Sequence, residues 1–345
     1  MSFSDLPPEI VLQMASTLDS VGDICSLMSV NKGLYRLLKT YLYQYSVDHE
    51  NSAGLIRAAG KGSLSAICCF LSLPRVNVHV RNDAGQTILH LAAQQRDGFY
   101  IMMILLRYNG MDVNATDSMG RTPLSYAASN DDCRPLSILL RRDDIDVNMT
   151  DARGRTPFSY AVDRGHKEAV QKLLDDTRLD PNRTSDDLSP LAIAAGSGSM
   201  EVLEMLLSDQ RVALNNQIHG SIDPLIWALF LKHERGSLRL LCAPNLNVNC
   251  CWHTISALMW GILLRQTAVA VRILEKDQLD VNHQDNAGRT ALMLAIQMEN
   301  DEVSMTLLDR KDIDLTLEDE RGESAVDYAL KSGNSKMLGE IRTRL

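Results

Sequence analysis

A short phrase recurs along this chain at a nearly fixed interval, and no other feature restricts the fold as tightly. It reads Gly85-Gln86-Thr87-Ile88-Leu89-His90-Leu91-Ala92-Ala93, then Gly120-Arg121-Thr122-Pro123-Leu124-Ser125-Tyr126-Ala127-Ala128, then Gly154-Arg155-Thr156-Pro157-Phe158. Looser echoes follow at Leu188-Ser189-Pro190-Leu191, Asp223-Pro224-Leu225, Ser256-Ala257-Leu258, Gly288-Arg289-Thr290-Ala291-Leu292 and Gly322-Glu323-Ser324-Ala325-Val326. The Thr-equivalent positions 87, 122, 156, 189, 223, 256, 290 and 324 are 33 to 35 residues apart. A second phrase keeps the same phase: Asp112-Val113-Asn114, Asp146-Val147-Asn148, Asp180-Pro181-Asn182, Asn247-Val248-Asn249 and Asp280-Val281-Asn282. Two phrases locked to one period mean stacked, similar units, each burying its apolar face against its neighbours.

Within a unit the residue types have local reasons. Thr suits the cap of a first helix, Pro its first turn, and Ala allows close helix packing. An apolar run such as Val202-Leu203-Glu204-Met205-Leu206-Leu207 reads as a second amphipathic helix, and the Asp-x-Asn phrase then turns the chain into an extended finger. These residues resemble the ankyrin repeat, whose core phrase is Thr-Pro-Leu-His-x-Ala. The resemblance covers about 51–345 and is most specific at 83–93, 117–128, 151–161 and 285–295. It implies an all-α solenoid of about nine helix-turn-helix units with short β-turn fingers, starting near 51, 83, 117, 151, 185, 219, 252, 285 and 319, and a role in binding other proteins. The more polar 323–328 and 340–345 fit a capping unit with one face to water.

Composition narrows the function. Of 345 residues 45% are hydrophobic and 23% charged, the balance of a folded chain; 35 basic against 44 acidic residues leave −9, a poor surface for nucleic acid. The longest uncharged apolar run, Ile255 to Leu264, is too short to cross a bilayer, so no membrane partner is expected. Seven scattered cysteines and an N-terminus without a basic leader point to a reducing compartment, cytoplasmic or nuclear.

Residues 1–47 lack the repeat phrase. They read Leu6-Pro7-Pro8-Glu9-Ile10, Leu18, Asp23-Ile24-Cys25-Ser26-Leu27 and Val30-Asn31-Lys32-Gly33-Leu34-Tyr35. This segment resembles an F-box, the helical module that docks the Skp adaptor of cullin–RING ubiquitin ligases. Leu34 stands at the usual Trp position, with Tyr35 one place beyond. The resemblance implies that Leu6, Pro7, Ile10, Leu18, Ile24, Leu27 and Val30 dock the adaptor, while the repeats hold a client for ubiquitin transfer by proximity. Ile10, Met14 and Leu18 fit one helical stripe, and Ile24, Leu27 and Met28 the next. The plainer reading is a helical cap on the stack.

Exposed positions at the end of each first helix are the expected binding surface. Most are polar, as at Asp163 and Arg164. The sixth and seventh units instead place Phe230, Leu231, Leu263 and Leu264 there, followed by Met298, and Trp252 lies in the finger between them. An apolar cluster with an aromatic anchor is expected to seat a peptide or degron with apolar anchors. Trp227 and Trp260, in one column with Tyr126, Tyr160 and Tyr328, are expected to pack inward. No catalytic residue, cofactor or metal is expected. Cys250-Cys251-Trp252-His253, with His219 and His283 on neighbouring fingers, lacks the usual metal-ligand spacing; nothing in the sequence places an activating base or oxyanion donor for a Cys251 and His253 pair; and His90 reads as a satisfied helix-start residue. The alternatives are an ankyrin scaffold or inhibitor without a ligase, and an enzyme with a small-molecule pocket in the diverged sixth and seventh units.

Overall fold

Helix pairs recur with the period of the phrases. The computed structural model of the chain describes residues 7–17, 26–30, 32–50, 52–95, 98–108, 110–215 and 222–344. It divides into two compact units, Met1–Ala152 and Arg153–Leu345. The first holds α1 (Pro8–Ser16), a helical turn at 26–28, α2 (Lys32–His49), and the pairs α3 (Ala53–Gly60) with α4 (Leu64–Leu71), α5 (Ile88–Gln94) with α6 (Gly98–Leu105), and α7 (Pro123–Ala128) with α8 (Arg134–Leu140). The second holds α9 (Pro157–Asp163) with α10 (Lys167–Leu174), α11 (Pro190–Ser197) with α12 (Met200–Ser208), and α13 (Pro224–Phe230) with α14 (Glu234–Leu241). A hairpin of β1 (Cys251–Trp252) and β2 (Ile255–Ser256) then leads into α15 (Ala257–Leu263) with α16 (Thr267–Leu274), α17 (Ala291–Gln297) with α18 (Asp301–Leu308), and α19 (Ala325–Lys331) with α20 (Ser335–Arg344).

The phrases explain themselves in hydrogen bonds. Thr122 Oγ1 accepts from the Ser125 amide at 3.2 Å while Ser125 Oγ accepts from the Thr122 amide at 3.3 Å, and Thr156 with Ser159 repeats the box. The Ala column, Ala127, Ala161, Ala194 and Ala228, is at most 1% exposed, so first helices pack closely on one another. The Asp-x-Asn phrase does two jobs. Asp280 Oδ1 accepts from the Asn282 amide to close a turn. The Asn282 side chain then reaches the next repeat, donating to the Asp312 carbonyl at 2.7 Å and accepting from the Asp314 amide at 2.8 Å. Asn114, Asn182, Asn215 and Asn249 make the same two-way clamp. Fingers are joined by backbone as well, as where Ala152 donates to Met119 and Glu320 to Ala287. Gly120 serves that approach: its φ is +79°, and a Cβ there would lie 3.0 Å from the Ala152 nitrogen.

The N-terminal helices have a small core of their own, Val11, Ala15, Met28, Leu34 and Leu38, with Leu12, Leu27, Leu37, Tyr41, Leu42 and Tyr45 packed on it. Met28 belongs to that core, and Leu27, one of the expected docking residues, is half-buried against it. Pro7, Ile10, Met14, Val30 and Tyr35 are exposed, while Leu6, Leu18 and Ile24 lie outside the described residues. The C-terminal half of α2 turns to the first repeat. The Tyr43 ring lies 4.6 Å from that of Phe70, and Ser46 Oγ accepts from the Gly54 amide.

Candidate protein-binding surface

Four aromatic rings of the second unit meet at one surface. Trp227 and Phe230 stand three residues apart on α13, which puts them on one helix face with rings parallel and 6.3 Å between centroids. Trp260 comes from the equivalent place on α15, and Trp252 from the hairpin before it. The Phe230 ring meets Trp252 edge-on at 5.7 Å and Trp260 at 5.7 Å, and Trp252 lies 5.6 Å from Trp260. Phe230 and Leu231 are each 43% exposed, and Trp227, Trp252, Trp260, Leu263 and Leu264 are half-buried. Large exposed apolar side chains are few in the second unit: among the described residues the others reduce to Leu330.

The hairpin gives Trp252 its place. His253 and Thr254 both have positive φ, 50° and 65°, the left-handed pair that a two-residue turn between twisted strands requires. The turn is held from outside, where His283 Nε2 meets the Thr254 carbonyl at 2.7 Å. In other fingers an Asp occupies this region and receives a tyrosine hydroxyl: Tyr126 donates to Asp117 at 2.8 Å and Tyr328 to Asp319 at 2.9 Å. Burial and the Asp319 carboxylate together push the Tyr328 hydroxyl up to about 12. The column of Tyr126, Tyr160, Trp227, Trp260 and Tyr328 is half-buried throughout, facing the fingers. The expected inward packing of Trp227 and Trp260 is therefore corrected: both belong to the aromatic surface. Their sequence signal was the clustering of all three tryptophans of the chain within residues 227–260.

Gly196 makes room for this surface. A Cβ there would lie 2.6 Å from Trp227 Nε1 and 2.7 Å from Leu231 Cδ1. The Trp260 Nε1 donor is buried and has no hydrogen-bond partner among the described residues. Of the remaining expected groove residues, Met298 lines a cleft with Ile262, Arg265, Thr267, Glu299, Asn300 and Asp301. Asp163 and Arg164 are exposed at the end of α9.

Cys251 is exposed on the hairpin, with its Sγ 3.6 Å from His283 Nε2, while Cys250 is buried. Burial, reinforced by Asp223, pushes Cys250 well above its ordinary value, and burial also raises Cys251. A nucleophilic or metal-binding thiolate needs the opposite shift. Among the described residues no three His, Cys, Asp or Glu side chains are grouped to hold a metal ion. His90 is fully buried, with Nε2 2.9 Å from the Arg121 carbonyl and Nδ1 3.0 Å from the Thr87 amide, a role in packing and capping. No described helix is long and apolar enough to cross a membrane.

A family model described as ankyrin repeats matches residues 55–151, 133–218 and 258–341. The chain is similar to the ankyrin repeat protein nuc-2 of Neurospora crassa, with 30% identity over 154 residues, 44% of this chain and 14% of that protein. It is also similar to the tyrosine-protein kinase Shark of Drosophila melanogaster, with 32% identity over 234 residues, 65% of this chain and 25% of that protein. The chain thus spans a quarter or less of either relative.

Proposed function

The chain belongs to the ankyrin-repeat family, and from that premise we propose that it is a non-catalytic adaptor whose client protein seats on the Phe230–Trp252–Trp260–Trp227 surface. The observation that carries this reading is four aromatic side chains gathered from three elements at an exposed face, the make-up of an interaction hot spot. Trp227, Phe230, Leu231 and Trp252 also fall between the matched spans ending at 218 and starting at 258, so the surface lies where the chain departs from the family pattern.

The finer part of the proposal assigns residues 1–47 to a docking module for a Skp-type adaptor of a cullin–RING ligase and 51–345 to nine repeats, acting in the cytoplasm or nucleus. The resemblance of the 1–47 sequence to an F-box supports it, as do large apolar side chains left exposed in this segment: Ile10 is 43% exposed, Met14 38%, Val30 59% and Tyr35 49%. A second reading, a scaffold whose N-terminal helices only cap the stack, is favoured by the Tyr43–Phe70 contact. The two separate on a sizing column. The ligase reading expects the chain to co-elute with a Skp adaptor and an Ile10→Glu/Val30→Glu variant not to; no co-elution of either leaves the scaffold. The client surface is tested by proximity labelling with the full chain. Proteins labelled by wild type and the Ile10→Glu/Val30→Glu variant but lost with Phe230→Ala/Trp252→Ala are its clients, and an unchanged set would remove the surface from function.

A further inference from the structure

The stretch that builds the aromatic surface reverses the charge of the chain. Residues 212–274 hold Lys232, Arg235, Arg239, Arg265 and Arg272 against Asp223 and Glu234, a net +3 within a chain of −9. Arg239 pairs with Glu204 at 2.7 Å, Arg272 pairs with Glu275, and Asp223 is buried as the cap of α13. Lys232, Arg235 and Arg265 remain exposed and outside any ion pair among the described residues, with Glu234 the exposed carboxylate of the stretch. Lys232 and Arg265 hold equivalent places. Each follows directly on an apolar pair, Phe230-Leu231 or Leu263-Leu264, in a left-handed turn with φ of 59° or 58°. Gly165, Gly198 and Gly333 fill the same turn without strain; Lys232 and Arg265, like Glu299 in the next repeat at φ 56°, fill it at a backbone cost, and the first two set a cation beside the patch. The positive rim ends at the Met298 cleft, where Glu299 and Asp301 stand.

We propose that the occupant of the aromatic surface is an acidic peptide segment, with bulky apolar side chains against Phe230, Trp252 and Leu231 and flanking Asp or Glu side chains against Lys232, Arg235 and Arg265. The proposal rests on the protein-binding reading above and adds the chemistry of the client. Apolar anchors supply the burial, and the cationic rim selects acidic flanks and speeds encounter. A single-stranded nucleic acid fits less well. The four rings lie 5.6 to 6.3 Å apart and pack on one another, edge-on, tilted or stacked, leaving no slot between two rings for a base.

The test uses the full chain and a phage-displayed random-peptide library, with the enriched peptides then synthesised and titrated. All three tryptophans lie in the surface, so intrinsic emission reports it directly. The expected result is enrichment of acidic peptides with aromatic or aliphatic anchors that shift the emission. Their binding should weaken about tenfold in a Lys232→Glu/Arg265→Glu variant and weaken further with added salt. Neutral or basic peptides that shift the emission, or binding indifferent to the charge reversal, would overturn the acidic-client proposal while leaving a protein-binding surface. Enrichment no better than on a folded Phe230→Ala/Trp252→Ala variant would overturn both readings. A mixed-sequence single-stranded RNA that shifts emission with the same charge dependence would assign the rim to nucleic acid and also overturn the proposal.

Discussion

Gly196 lies beneath the Trp227 indole and the Leu231 side chain, and it shows how much one missing methyl group sets at the residue scale. Its helical neighbours would favour Ala by about 1 kcal/mol on propensity. The Cβ, however, would stand 2.6 Å from Trp227 Nε1, so the ring must shift. Overpacking of this kind costs about 1–3 kcal/mol. Gly196→Ala is therefore expected to leave the far-UV spectrum unchanged, alter near-UV dichroism and tryptophan emission, and weaken client binding; unaltered emission would refute the contact. His90 supplies a second residue-scale test. Burial holds its imidazole below the ordinary value, outweighing the upward pull of the Arg121 carbonyl and Asp117. The unfolded chain therefore takes up this proton first. The stabilising contribution of neutral His90 is complete above about pH 6.5, the unfolded value, and declines as pH falls below it, with a slope of at most about 1.4 kcal/mol per pH unit. Urea midpoints measured from pH 7.5 to 5 should fall more steeply for wild type than for His90→Gln; parallel curves would mean that His90 takes no part.

At the element scale, the finger and its clamp carry the repeat. The sequence marks Asp-x-Asn as a turn, and that much is legible because Asp and Asn side chains close turns onto their own backbone. The reach of the Asn amide into the next repeat is not legible, since it depends on a contact about 30 residues away, 2.7 Å from Asn282 Nδ2 to the Asp312 carbonyl. Asn282→Ala removes a donor and an acceptor while keeping the turn, and should cost about 1–2 kcal/mol. Asn282→Asp, which retains the acceptor, should fall between the two; equal stability of all three proteins would deny the clamp. The capping Thr122 and Thr156 were readable for the same local reason as the turn. Trp227 and Trp260 were misread because their column was judged by its own helix. The Tyr-to-Asp bonds of other repeats show that the column faces the fingers, and Trp252 takes over the Asp region in the hairpin before α15.

Across the whole molecule, the hydrogen bonds that join repeats run from one to the next, so each perturbation should be felt mainly by its neighbours. First helices pack on the first helices of adjacent pairs, as α13 does on α11 and α15, and second helices do likewise, as α14 does on α16. The tryptophans make this measurable, because all three report from 227–260 while far-UV dichroism averages the whole chain. Asn249 clamps the Trp252 finger's repeat to the next through the Gln278 carbonyl and the Asp280 amide. Asn114 makes the same bonds to the Asp144 carbonyl and the Asp146 amide in the first unit. Asn249→Ala should thus lower the urea midpoint seen by tryptophan emission more than Asn114→Ala does, although the two remove the same pair of bonds. In Asn114→Ala the dichroism transition should move ahead of the emission transition, as a chain without strict two-state unfolding allows. Equal shifts in both signals for both variants would mean instead that the array unfolds as a single cooperative unit, and that the period read from the phrases describes its construction but not its energetics.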